Sequence, residues 1–146
     1  MKIAIGADHR GFKYKELVKK YLQDIKYDVT DFGTDSEESV DYPLFAVRVA
    51  RSVAEGKCER GIVVCGSGIG VCISANKVKG IRSAIAYDSK IAEMCRRHNN
   101  VNVLSLSSDF TSEEEIYECV KTFLNTEFEG GRHERRLEEI TDLTGL

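Results

Sequence analysis

Gly61-Ile62-Val63-Val64-Cys65-Gly66-Ser67-Gly68-Ile69-Gly70 is an apolar run that passes through a thiol into three alternate glycines. The β-branched content of 61–64 is that of a strand buried on both faces, and Val71 to Val78 can continue as a helix. The segment reads as strand, turn and helix, with the turn at the strand's C-terminal end. In open parallel sheets ligands bind at that end, because helix N-termini and unpaired N–H groups converge there. Glycines at 66, 68 and 70 admit the backbone angles that aim successive N–H groups at one anion or oxyanion.

The spacing excludes two common phosphate motifs. A dinucleotide fingerprint needs glycine at position 71, which is Val71, and no Gly-Lys-Ser/Thr follows. Cys65 has two readings. Backbone donors and a helix N-terminus favour a reactive thiolate, whereas a small buried hydrophobe ending a strand is what most free cysteines are.

On either side of this stretch the pattern alternates between strand and helix. Lys2 to Ala7 is strand one, and Leu17, Val18, Tyr21, Leu22 and Ile25 recur at helical spacing. Tyr27 to Phe32 is strand two, followed by Gly33 and a polar loop over 34–41. Pro43, the single proline, suits the first turn of a helix closed by Gly56, with Ala46, Val47, Ala50, Val53 and Ala54 as its stripe. After the central strand comes a short helix to about Lys79-Gly80. Strand four is Ile81 to Tyr87, and Asp88 or Ser89 caps a helix to about Arg97. Val101 to Leu106 is strand five. Thr111-Ser112-Glu113-Glu114-Glu115 is a capping-box signature opening a helix with Ile116, Val120, Phe123 and Leu124 on one face. Gly130-Gly131 precedes a last helix, Arg132 to about Ile140. Five strands alternating with helices imply right-handed βαβ units. The expected fold is α/β, a Rossmann-like three-layer sandwich with a five-stranded parallel sheet and a C-terminal helical extension.

The 146 residues, 42% hydrophobic, make one domain over 1–146 with a self-sufficient core. A net charge of −3 with interspersed signs argues against nucleic-acid or membrane-surface binding. No apolar run approaches the ~20 residues of a membrane span, and the short apolar start reads as strand rather than secretory leader. Cys58, Cys65, Cys72, Cys95 and Cys119 are odd in number and lack Cys-x-x-Cys spacing, which suggests free thiols, a cytoplasmic location and no metal site.

Polar residues near strand ends extend the candidate site. Asp8-His9 follows strand one, at the same sheet edge as Cys65; the alternative is a helix cap and a surface imidazole. Tyr42 either overlooks the cleft or packs on a loop. His98-Asn99-Asn100 lies between a helix and strand five, hence at the opposite edge. If His98 works with Cys65 it comes from a twofold-related partner; otherwise it ends its helix. Arg132 and Arg136, four apart on a helix, can clamp one phosphate or belong to a solvated, salt-bridged face.

Asp8-His9, Glu38-Ser39-Val40-Asp41-Tyr42-Pro43, Cys65-Gly66-Ser67-Gly68-Ile69-Gly70, Ala75-Asn76-Lys77, Gly80-Ile81-Arg82, Arg97-His98-Asn99 and Gly130-Gly131-Arg132-His133-Glu134-Arg135-Arg136 together resemble the type B ribose-5-phosphate isomerases. The galactose-6-phosphate isomerase subunits belong to the same family. The resemblance runs nearly end to end. It implies aldose–ketose isomerisation of a sugar phosphate without metal or organic cofactor, in a homodimer with a shared site that can pair into a dimer of dimers. By the same resemblance, Cys65 moves a proton between C2 and C1 through a cis-enediolate whose oxygens are held by Gly66, Ser67, Gly68, Ile69 and Gly70. His98 of the neighbouring subunit opens the furanose ring with Asp8 nearby. His9, Arg132 and Arg136 hold the phosphate, and Asn99 and Tyr42 contact the sugar.

Three departures matter. Position 67, often threonine in that family, is Ser67, which keeps the hydroxyl. Position 71, a glutamate base in one branch, is Val71, leaving Cys65 as the base of this loop. Arg10-Gly11 after the Asp-His pair also differs, and the extra cation either assists phosphate binding or faces water. The implied substrate is ribose 5-phosphate. A six-carbon aldose phosphate and a non-catalytic module binding a phosphorylated metabolite are the competing readings.

Overall fold

The computed structural model describes residues 1–146. In chain order the elements are β1 (Lys2–Ala7), α1 (Phe12–Asp24), β2 (Asp28–Asp31), α2 (Tyr42–Ala54), β3 (Arg60–Cys65), α3 (Ile69–Asn76), β4 (Ser83–Ile85), α4 (Ser89–Asn99), β5 (Val103–Ser107), α5 (Glu113–Asn125) and α6 (Arg132–Thr144). All strand pairs are parallel, in the order β2-β1-β3-β5-β4. The expected three-layer α/β sandwich with a C-terminal helix is what forms.

The layers follow from which strand face each helix stripe covers. Val18 and Leu22 of α1, Ala92 and Cys95 of α4, and Ile116, Val120 and Phe123 of α5 pack with Ile3, Ile5, Ile62, Val64, Leu104 and Leu106. Ala46, Val49 and Val53 of α2 and Val71 and Ala75 of α3 cover the other face, with Ala4, Val63, Cys65 and Val103. Alternate residues of β3 thus enter different cores, which is why 61–64 reads as a continuous apolar run.

Several boundaries differ from the sequence expectation. Strand four shortens to Ser83–Ile85 because β4 is an edge pairing with β5 alone; Ile81 instead closes a turn, its N–H donating to the Val78 carbonyl at 3.1 Å. The α2 stripe runs through Phe45, Ala46, Val49, Ala50 and Val53, leaving Ala54 outside the core. Asp88 is the cap of α4, accepting from the Ile91 N–H at 2.9 Å. The capping box at α5 is half made. Ser112 accepts from the Glu115 N–H at 3.2 Å, while the Glu115 carboxylate reaches across to the Ser89 N–H at 2.8 Å and serves the start of α4.

One charge cluster, built around a buried lysine, joins α1 to β2. Lys15 is fully buried, and its Nζ donates to Asp31 Oδ2 at 2.7 Å and Glu16 Oε1 at 2.8 Å. Lys19 also reaches Asp31, at 2.8 Å, and Asp31 Oδ1 accepts the Gly33 N–H at 2.9 Å. Burial alone would raise the Asp31 carboxyl, but Lys15, Lys19 and that N–H together hold it below the usual range. A depressed carboxyl contributes stability that is present above its unfolded value and lost as pH falls through its folded one. Asp31→Asn leaves the buried ammonium with Glu16 as its one carboxylate and is expected to cost about 2 kcal/mol, whereas Lys15→Met leaves Asp31 with Lys19 and costs about 1 kcal/mol or less. Urea melts at pH 7 check that order, and the same melts taken down through the acid range should show a shallower loss of stability in Asp31→Asn than in the parent.

Candidate active site

Cys65 ends β3 and is buried, with Sγ 3.2 Å from the Gly68 N–H. That N–H can point back at the sulfur because Gly68 takes a φ of 79°, from which the chain enters α3 directly at Ile69. A side chain at Gly68 would also press on Ile85 and the Leu106 carbonyl. Ser67 folds its hydroxyl onto the Ile69 N–H at 3.1 Å, and the Tyr87 hydroxyl donates to the Ser67 carbonyl at 3.0 Å. The sheet order places β5 beside β3, and its end anchors the turn. The Gly66 carbonyl accepts from Ser107 Oγ at 2.7 Å and the Asp109 N–H at 2.9 Å, and the Cys65 carbonyl accepts from the Ser108 N–H at 3.0 Å.

The β1–α1 loop borders the same turn. Asp8 is buried, and its Oδ1 accepts the N–H groups of Arg10 and Gly11, both at 3.0 Å. It closes the turn ahead of α1, whose N-cap is Gly11 with no side-chain cap, and so is a residue of this edge rather than the helix cap. Gly11 is required there, since a Cβ would lie 2.4 Å from the Val64 carbonyl oxygen. His9 turns the other way, its Nδ1 3.2 Å from the Val40 backbone in the β2–α2 loop. Tyr42, the first residue of α2, lays its ring against Gly70, whose added Cβ would come within 2.5 Å of it. Asp8, His9, Tyr42 and the 65–70 turn are thus assembled on one sheet edge by one chain.

The remaining candidates stand at the opposite edge. His98 is in the last turn of α4, which ends in Asn100 at a φ of 45° before β5 begins. Arg96 fixes that turn by donating to the Val101 carbonyl at 2.6 Å and the Thr126 carbonyl at 3.2 Å; burial, with Arg60 alongside, pulls its guanidinium down to about 10. The His98 ring stacks on His133 of α6 at 4.2 Å and 10°. Glu129 Oε2 lies 3.7 Å from His98 Nε2 and 3.5 Å from His133 Nε2, and Arg97 holds the other carboxylate oxygen at 2.5 Å. Burial, the His98 charge and Arg132 lower the His133 imidazole, Glu129 acting against them. Asn99, Arg132 and Arg136 are exposed beside this stack. His98, Glu129 and His133 carry ligand atoms within 4.8 Å of one another, the grouping with metal-binding potential, although Glu129 is already engaged by Arg97.

Within one chain, Cys65 and His98 lie at opposite edges of the sheet, as the helix-to-strand position of His98 implies. The sequence reading missed Ser107, Ser108, Asp109 and Tyr87, which shape the turn, and Glu129 with His133, which orient His98. The end of strand five was a usable signal for the first three, since β5 shares the C-terminal edge with β3. Of the other thiols, burial pushes Cys95 up to about 11 and, with Glu115 nearby, Cys119 up to about 12, so both stay protonated at neutral pH. All five cysteines are free, and no helix is long and apolar enough to cross a membrane.

Comparison with known proteins accords with this geometry. The model of the family described as Ribose/Galactose Isomerase matches residues 3–140. The chain is 41% identical over 140 residues to ribose-5-phosphate isomerase B of Escherichia coli, covering 96% of this chain and 94% of that protein. Ribose-5-phosphate isomerase B of Clostridium thermocellum superposes with a TM-score of 0.98 at 45% identity, covering 99% of this chain and 98% of that one. The Mycoplasma genitalium enzyme of the same name, solved with bound ribulose-5-phosphate, gives a TM-score of 0.95 at 40% identity over 99% of this chain and 96% of that one. With its family model spanning nearly the whole chain and these relatives matched end to end, the chain belongs to the ribose/galactose isomerase family.

Proposed function

We propose that this chain is an aldose–ketose isomerase interconverting D-ribose 5-phosphate and D-ribulose 5-phosphate, with Cys65 as the proton-transferring base. The observation that carries the base assignment is the Cys65 sulfur, placed at the sheet's C-terminal edge with the Gly68 N–H 3.2 Å away. That contact puts a backbone donor on the sulfur at the strand end where the glycine turn begins. Removing the weakly acidic proton from C2 needs a base together with stabilisation of the developing oxyanion. The thiolate takes the C2 proton, and the freed electron pair forms the C1–C2 double bond of a cis-enediolate as the C1 carbonyl π pair moves onto O1. The O2 hydroxyl proton then passes to O1, an O2 electron pair forms the C2 carbonyl, and the C1–C2 π pair takes the proton back from the thiol at C1. Gly66, Ser67, Gly68, Ile69 and Gly70 are assigned to the enediolate oxygens.

Ring opening is assigned to His98 of the partner subunit, with Asp8 nearby: the anomeric hydroxyl loses its proton and the ring oxygen gains one. The Glu129 carboxylate and the His133 stack keep that imidazole in one orientation. His9, Arg132 and Arg136 hold the phosphate, and Tyr42 and Asn99 border the sugar. The division of these residues between opposite sheet edges supports a homodimer, because with His98 acting at Cys65 a second copy has to supply it. Half-exposed Ile69 and Ile73 on α3, beside the turn, suit that contact. The reaction is placed in the cytoplasm, within pentose phosphate interconversion.

Proton NMR of ribose 5-phosphate in deuterated water is expected to show ribulose 5-phosphate and deuterium incorporation at carbon, with a loss of about 10³-fold in Cys65→Ser. Turnover of galactose 6-phosphate alone would keep the chemistry and replace the substrate; binding without turnover would replace the enzyme with a binding module. Cys65→Ala and His98→Asn are each expected to be nearly inactive. After mixing, unfolding and refolding together, they should recover about a quarter of parental activity, because half of the dimers are then mixed and each carries one intact site. Absence of recovery would remove the shared-site assignment.

A further inference from the structure

We propose that Arg10, held over the Gly66 turn by Asp109, is a phosphate-anchoring residue of this site. The inference rests on the sugar-phosphate reading above and adds a substrate contact that the assigned set of His9, Arg132 and Arg136 lacks. Arg10 Nη2 donates to Asp109 Oδ2 at 2.6 Å, joining the β1–α1 loop to the residues after β5. This ion pair lies directly on the turn. A Cβ added at Gly66 would sit 2.8 Å from Arg10 Nε and 2.9 Å from Asp109 Oδ2, so the missing side chain is what lets the guanidinium approach the backbone next to Cys65.

The charge arrangement gives the pair its role. Arg132 and Arg136 emerge at the opposite edge of their own chain, while Asp8 and Asp109 place carboxylates at the Cys65 edge. A substrate phosphate entering from that side meets Arg10, next in sequence to His9, as the permanent cation already standing on the turn. Only Nη2 of the guanidinium is hydrogen-bonded within the chain, and the side chain is 59% exposed, which leaves the other donors of the planar fork without a partner. A fork with one edge clamped by a carboxylate and another free is pre-organised for a phosphate oxygen. Asp109 is itself fixed, because its N–H donates to the Gly66 carbonyl at 2.9 Å. It is the positioning residue of the pair. An exposed ion pair contributes little to stability by itself, which separates this role from a structural one.

The test compares Arg10→Ala, Arg10→Lys and Arg10→Ala/Asp109→Ala with the parent, using inorganic phosphate as the probe. Arg10→Ala is expected to raise the KM for ribose 5-phosphate and the inhibition constant of inorganic phosphate by roughly tenfold, with a far smaller change in kcat and an unchanged Tm. Arg10→Lys, which keeps the charge and loses the fork, should fall between. The double variant removes the stranded Asp109 carboxylate, and the weakening should persist in it. Recovery of parental phosphate affinity there would overturn the proposal, since repulsion by Asp109 would then explain the single variant. A fall in kcat and Tm with phosphate inhibition unmoved would also overturn it, making the pair a structural pin. Titration of phosphate by ³¹P NMR without substrate separates this inference from the isomerase reading. If the parent does not turn over sugar, weaker phosphate binding in Arg10→Ala still supports the anchor, and equal binding, or none in the parent, refutes it.

Discussion

The carbonyl of Gly66 accepts two hydrogen bonds, from Ser107 Oγ and from the Asp109 N–H, and the geometry of the thiol edge depends on that double anchor. A peptide whose oxygen is held against β5 presents the following N–H groups toward the cleft, so the Gly68 N–H meets the Cys65 sulfur. A buried polar turn without partners would be costly; here its carbonyls are paired with the end of β5, and the Gly68 and Ile69 N–H groups with Cys65 Sγ and Ser67 Oγ. Arg10 rests on the same peptide, tying the first loop of the chain to the last strand end.

Environment separates the thiols by role. Cys95 and Cys119 occupy the core between α4, α5 and the sheet, where burial penalises the charged form. Cys65 is also buried, yet it alone ends a strand and receives an N–H from a glycine turn. A side chain of one chemistry is thus packed as a hydrophobe in two places and met by a backbone donor in a third.

The fold divides its polar chemistry between two sheet edges. Parallel strands put loops that follow strands at one edge and loops that precede them at the other. Asp8, His9, Tyr42 and Cys65 obey the first rule; His98, with Arg96 and Glu129 fixing its setting, obeys the second. The separation leaves the thiol and the histidine stack on different surfaces of one chain.

Much of this is legible in the sequence. The apolar periods located each strand and helix, the glycine spacing around Cys65 marked the turn, and the strand-end rule put Asp8 and His9 beside it while sending His98 to the far edge. Local pattern reports which face of an element is buried and where the chain reverses, because both depend on residues close in sequence. It does not report which strands are neighbours. The shortness of β4, the transfer of Glu115 from its own capping box to Ser89, the stack of His98 on His133 and the meeting of Arg10 with Asp109 all follow from the order β2-β1-β3-β5-β4 and the packing of α6 on α4. The sequence by itself determined the elements, the thiol turn and the edge on which each candidate lies; tertiary structure alone decided which distant side chains share that edge, because contacts between residues far apart in the chain are set by strand order and helix packing.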